Sequence, residues 1–155
     1  MPGGGLIVRG RPIVVRNEGG HRFSLRIRDH ELTVDQPRGS GGEDAGPSST
    51  ELFVASLVGC VAHYGHMFPA WNGVSGEPRA EADWSVDLRS ERLTEVRVRV
   101  DAHFVPDELA GGFREAVEHC LVHNSLRSAP DVAIEVRHVA PTGGRAPGDA
   151  ALTTR

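Results

Sequence analysis

The sequence predicts an α+β fold, and two observations carry that reading. Residues 6–35 and 79–105 read as strands, mostly by the alternation of apolar and polar side chains with the period of half-buried strands. Between and after them lie two segments, 50–68 and 107–126, whose length and apolar pattern suit helices that pack into a core. Strands that come in runs joined by turns, rather than singly between helices, point to hairpins.

Taken in order, `PIVVRN` is a short β-branched run, and `HRFSLRIRD` sets Phe23, Leu25 and Ile27 against polar neighbours. `HELTVDQP` alternates Leu32 with Val34. Residues 36–50, `QPRGSGGEDAGPSST`, hold four glycines, two prolines and three serines, which makes them a loop. A loop this long inside a compact domain is more often functional or disordered than incidental.

Ser48, Ser49 or Thr50 is placed to cap the helix over 50–68, with Glu51 in its first turn near the positive end of the dipole. Its body, `LFVASLVGCVA`, is apolar on nearly every side, as in a buried helix, and Pro69 with `NGVSGEP` is expected to end it. The strands `AEADWSVDL` and `EVRVRVDAHFV` turn at `RSERLT`; Val96, Val98 and Val100 share one face, Arg97 and Arg99 the other. Over 107–126, at about 100° per residue, Leu109, Phe113, Ala116, Val117 and Cys120 fall on one helical stripe with Cys120 near its middle. Pro130 ends the helix, `DVAIEVRHV` reads as a last strand, and the tail from Pro141 as disordered. The expectation is a single domain over residues 1–140 and a disordered tail over 141–155.

A net charge of −4 and a pI near 6.0 leave no footprint for nucleic acid. All 17 basic residues are arginine, so no lysine is available as a Schiff base or proton acceptor. With no run of 18 apolar residues and no secretory leader pattern, the expected setting is cytoplasmic and off the membrane. In that reducing compartment two cysteines rarely form a structural disulfide.

Those cysteines repeat a spacing: Cys60 to His63 in `GCVAHYGH`, and Cys120 to His123 in `HCLVHN`. Three readings stay open. Both thiols are small core residues, as free cysteines usually are. Or Cys60, His63, Cys120 and His123 form a tetrahedral zinc set, although such sets normally sit on turns rather than helices. Or the thiols are redox-active. That requires a neighbour to favour the thiolate, and arginine, charged even when buried, is the best candidate. A carboxylate such as Glu51 would then hold the arginine, but nine residues before Cys60 it lies on the opposite helical face. It must act through the arginine, from outside the regular helix, or across a subunit boundary. His63 and Tyr64, one turn beyond Cys60, are positioned to tune the thiol. His66, His103, His119 and His138 read as surface or strand-end residues.

`GGEDAGPSSTELFVASLVGC`, residues 41–60, followed by `HCLVHNSL`, residues 119–126, resembles the OsmC/Ohr family of osmotically inducible and organic hydroperoxide resistance proteins. The likeness extends over residues 13–139 in the order of elements. It implies an OsmC-like fold, with antiparallel sheets wrapped around two central helices in an intertwined homodimer. It also implies a peroxidase that uses no cofactor and no metal. Cys60 attacks an organic hydroperoxide and becomes a sulfenic acid. Cys120 condenses with it to a disulfide, which a dithiol or lipoyl-type reductant reopens. The resemblance assigns thiol activation to an arginine and a glutamate, here Arg38 and Glu51, and places His123 within the motif around Cys120. Two departures stand out. The peroxidase branches carry their glutamate ten residues before the cysteine, where this chain has Thr50, so the chain follows the Gly-Pro-x-x-x-Glu-Leu branch. Where the arginine comes from an early strand instead, Arg16, Arg22 or Arg26 takes the place of Arg38. The competing reading is a non-enzymatic stress-associated protein that binds a small apolar ligand at the dimer cleft.

Overall fold

The computed structural model describes residues 6–137; the expected tail, residues 141–155, lies outside them. Strands β1 (Ile13–Gly19), β2 (Arg22–Ile27) and β3 (His30–Val34) form an antiparallel meander in the order β1-β2-β3. Val15, Leu25 and Leu32 stand abreast, as do Asn17, Phe23 and Val34, so the alternating apolar residues collect on one face. That face meets Ser49 and Leu52 at the start of the long helix α1 (Ser49–Asn72). Elsewhere on it Ile13 and Val15 remain more than half exposed.

A second hairpin, β4 (Arg79–Asp87) and β5 (Arg92–Asp101), pairs Ala82 with Val98 and Ala80 with Val100. Val96, Val98 and Val100 pack toward the helices. On the opposite face Arg99 reaches both Glu81 (3.1 Å) and Asp83 (2.6 Å), across the strand pair. The fold class is therefore α+β with antiparallel sheets, as the alternation of the sequence implies.

Helix α1 is the organiser: it packs against β4 and against the two shorter helices α2 (Ala110–Glu118) and α3 (Leu121–Arg127). Val54, Leu57, Val61, Phe68 and Phe113 are buried. Phe113 sits edge-to-face with Phe68 (5.3 Å) and Phe104 (6.3 Å), tying α2 to the end of α1. By length and composition α1 is apolar enough to cross a membrane, but here it is the helix on which the rest of the chain packs.

Three expectations change. Pro69 does not end α1; the helix continues to Asn72 and stops at Gly73, whose left-handed backbone (φ 67°) donates to the Pro69 carbonyl. Burial of Phe68 and Pro69 offsets the hydrogen bond that proline removes. The helix expected over 107–126 is not continuous. A 3-10 turn, Asp107–Leu109, leads into α2, and α2 and α3 are separated at His119–Cys120. The break is closed locally: His119 Nδ1 meets the Glu115 carbonyl (2.8 Å), His123 Nδ1 the Glu118 carbonyl (2.7 Å), and Asn124 donates to the His119 carbonyl. Finally, the described part of the last strand, 131–137, pairs with no other strand among the described residues. Val132, Ile134 and Val136 are 80%, 87% and 84% exposed. An alternating segment becomes a strand only beside another strand, and among the described residues none pairs with it.

Candidate active site: two thiols on a helix junction

The break before α3 decides the position of Cys120. With φ −64° and ψ 146° it is the N-cap of α3 rather than a stripe residue inside a helix, and its Sγ accepts the His123 N–H at 3.3 Å. It is 0% exposed. Around it pack Leu57 and Val61 of α1 together with Cys60, Val117 and Val122. Cys60, on the same helix, is only half-buried. The fold thus brings the chain's two cysteines, sixty residues apart in sequence, into one apolar cluster, with Cys60 the more accessible.

Burial pushes the Cys120 thiol above its ordinary value of 9.0. The neighbouring Cys60 thiol acts in the same direction, while the His123 and Val122 N–H groups oppose it. Both thiols are free. Cys120 at neutral pH is therefore a protonated, enclosed thiol, unsuited to attack anything from solvent.

Glu51 is placed at the third position of α1 and closes a capping box. Its Oε2 accepts the Ser48 N–H (2.7 Å) and the Ser48 hydroxyl (2.8 Å), while its own N–H donates to Ser48 Oγ (3.3 Å). The Ser48 N–H and hydroxyl hold the Glu51 carboxyl below its ordinary 4.5. Nine residues of helix put Cys60 about 13 Å further along the axis. Arg38 lies exposed in a 3-10 turn, Arg38–Ser40, of the glycine-rich loop, and among the described residues it has no ion pair. The alternative arginines lie on the meander, Arg16 exposed, Arg22 paired to Glu43 (3.3 Å) and Arg26 near Glu31 (3.8 Å). Within one chain the structure assembles the thiol pair and holds Glu51 at the start of α1, in the capping box with Ser48.

His63 is exposed and stands edge-on to Tyr64, ring centres 6.0 Å apart. The Cys60–His63–Cys120–His123 set is not gathered: among the described residues no three metal-ligating side chains converge. The zinc alternative is set aside on that geometry.

Beside the thiols a groove of about 530 Å³ runs between α1, α2 and β5, lined by Leu57, Val61, Val96, Val98, Val100 and Phe113. Arg114, Glu118 and His123 supply its polar rim. Leu57 and Val61 also touch the Cys120 cluster, so the groove and the thiols share a wall.

Sequence reasoning missed one residue, Asp35. It is 1% exposed, and its carboxylate accepts three backbone N–H groups of the following loop. Its only signal was an aspartate at the mouth of a Gly/Pro-rich segment, the pattern of a side chain that bonds local backbone.

An antiparallel α+β frame with a cysteine on its central helix and another at a second helix junction defines a class of small two-thiol proteins. Residues 41–135 match the sequence pattern described as OsmC-like protein, and the chain belongs to that family. Among solved structures it is similar to an osmotic stress induced and detoxification response protein from Psychrobacter arcticus (21% identity, 77% of this chain and 91% of that one, TM-score 0.65). It is also similar to an OsmC-like protein from Mycoplasma pneumoniae (12%, 79% and 91%, 0.64). The organic hydroperoxide resistance protein OhrB of Bacillus subtilis shares the fold as well (18%, 82% and 98%, 0.53). No curated protein matches the sequence.

Proposed function

We infer that the protein is a dimeric, cytoplasmic thiol peroxidase for organic hydroperoxides, serving the oxidative stress response and built as one domain over residues 1–140. The observation that carries this reading is the placement of Cys60 against Cys120 in one cluster, half-buried beside fully buried. The Cys60 thiolate attacks the terminal oxygen, the O–O bond breaks, and the alcohol leaves with a proton. The resulting sulfenic acid meets Cys120, an S–S bond forms and water leaves. An external dithiol, of lipoyl type, then takes the disulfide back to two thiols. A second copy completes the site. Glu51 stands about 13 Å along α1 from the Cys60 of its own chain, and Arg38 lies in the loop that precedes that helix. They are instead offered to the Cys60 of a partner, where an arginine favours the thiolate. The uncovered apolar face of the meander and the segment 131–137, unpaired among the described residues, support the dimer.

The groove beside the thiols favours one other reading, a non-enzymatic protein holding a small apolar ligand. Intact mass and thiol titration separate the two. In the peroxidase, one addition of alkyl hydroperoxide to reduced protein removes both thiols and creates a Cys60–Cys120 disulfide. Thiols that survive the addition belong to the binding protein.

A further inference from the structure

The buried carboxylate of Asp35 takes no part in the two-thiol reaction, yet it is among the most enclosed side chains of the described residues. Oδ1 accepts the Gln36 N–H at 2.8 Å; Oδ2 accepts those of Glu43 (3.0 Å) and Ala45 (3.1 Å). One carboxylate thus grips both limbs of the loop over residues 36–47. Its backbone does the same: the Asp35 N–H donates to the Pro47 carbonyl (3.3 Å), and the Asp44 N–H to that of Gln36 (3.1 Å). The loop closes so tightly that a Cβ on Gly42 would run into the Gln36 carbonyl.

Two things hang on this closed loop. Arg38 rides the 3-10 turn between the Asp35-bound ends, and Pro47 hands directly to Ser48, the cap that holds Glu51. A loop of twelve glycine- and proline-rich residues would otherwise sample many conformations, and an arginine on it would be aimed nowhere in particular. The Ala45 N–H foremost, with those of Gln36 and Glu43 and the Arg22 charge, holds the Asp35 carboxyl below its ordinary 3.8 against the opposing cost of burial. It is therefore an anion, a full-strength acceptor, throughout the working pH range.

We propose that Asp35 is the positioning residue of the reaction: it fixes the 36–47 loop in one conformation and so aims Arg38 at the Cys60 thiolate of the partner copy without touching thiol or substrate. This rests on the peroxidase reading, and it is stated for Arg38 rather than for the meander arginines. Asparagine at 35 keeps the shape but turns an amide N–H₂ toward backbone donors, which loosens at least one limb of the loop.

The test is a cycle of Asp35→Asn, Arg38→Ala and the double variant in the full-length protein. Each is assayed for the pH midpoint of Cys60 alkylation by iodoacetamide and for its second-order rate with an alkyl hydroperoxide. Asp35→Asn is expected to raise the alkylation midpoint by about one unit and to slow the peroxide reaction roughly tenfold. In the Arg38→Ala background it is expected to add nothing further. A lowered melting temperature with unchanged midpoint and rate overturns the proposal, and so does an Asp35→Asn effect that persists undiminished without Arg38. If Asp35→Asn does not fold cooperatively, Gly42→Ala displaces the same loop and is read by the same two criteria. If the parent ignores hydroperoxide the peroxidase reading fails on its own, and the alkylation midpoints still decide whether Asp35 acts on Cys60 through Arg38.

Discussion

Glu51 and Ser48 hold each other at the start of α1: one carboxylate oxygen takes the serine N–H at 2.7 Å and its hydroxyl at 2.8 Å, and the serine oxygen takes the glutamate N–H. The glutamate proposed for thiol activation is thus also part of a helix cap. Ser48→Ala removes the cap and is expected to cost about 1 kcal/mol of stability, read as a lower urea midpoint at unchanged slope.

The same pair gives stability a pH dependence. The folded Glu51 carboxyl is held below its ordinary value, so its contribution is complete above that value and fades as pH falls through the folded one. Asp35 behaves alike. Chemical denaturation from pH 7 down to pH 3 should therefore show falling stability below about pH 5. Glu51→Gln should be less stable than the parent at pH 7 and close to it at pH 3. Equal stability at both pH values would remove the capping box from the account of α1.

Cys120 is enclosed and its thiol pushed up, whereas Cys60 is half-exposed. Limited alkylation of the reduced protein at neutral pH should label Cys60 first, as peptide mapping will show. In Cys120→Ser, hydroperoxide should leave a sulfenic acid on Cys60 that dimedone traps. The parent should trap little, because Cys120 consumes the acid first.

Phe113 joins α2 to both Phe68 and Phe104. Phe113→Ala should destabilise by about 3–5 kcal/mol, measured by thermal or urea unfolding. This change also opens the groove beside the thiols, so it tests packing and the ligand-binding reading together.

The segment Val132–Val136 exposes three apolar side chains in alternation. Ile134→Asp is expected to turn a dimer into a monomer in sedimentation. If the variant sediments as the parent does, this segment is not part of the interface.

Much of this was legible from the residues. A β-branched run placed β1, alternation placed the other four described strands, and the Ser48-x-x-Glu51 spacing with an apolar run behind it marked the start of α1. Periodicity was blind to what tertiary context decides. Leu109, Phe113, Val117 and Cys120 keep a helical stripe straight through a junction, because the break at His119 is made by side chains bonding carbonyls rather than by glycine or proline. Pro69 is a strong stop signal overridden by burial. `DVAIEVRHV` carries a strand pattern, yet its described part, 131–137, finds no partner strand among the described residues. The pairing of Cys60 with Cys120 came from family resemblance, and no local pattern of sixty-residue separation encodes it. Asp35 gave no sign of its reach, since its partners are backbone groups that any residue supplies.

The central claim is that Cys60 performs the first chemical step. Its most direct test is the rate at which reduced protein consumes an alkyl hydroperoxide, compared between the parent and Cys60→Ser at equal concentration. The parent should consume peroxide in proportion to its reduced thiols and stop when the Cys60–Cys120 disulfide has formed, resuming when a dithiol is added. Cys60→Ser should consume none above the buffer rate. Consumption by Cys60→Ser as fast as by the parent would contradict the mechanism outright.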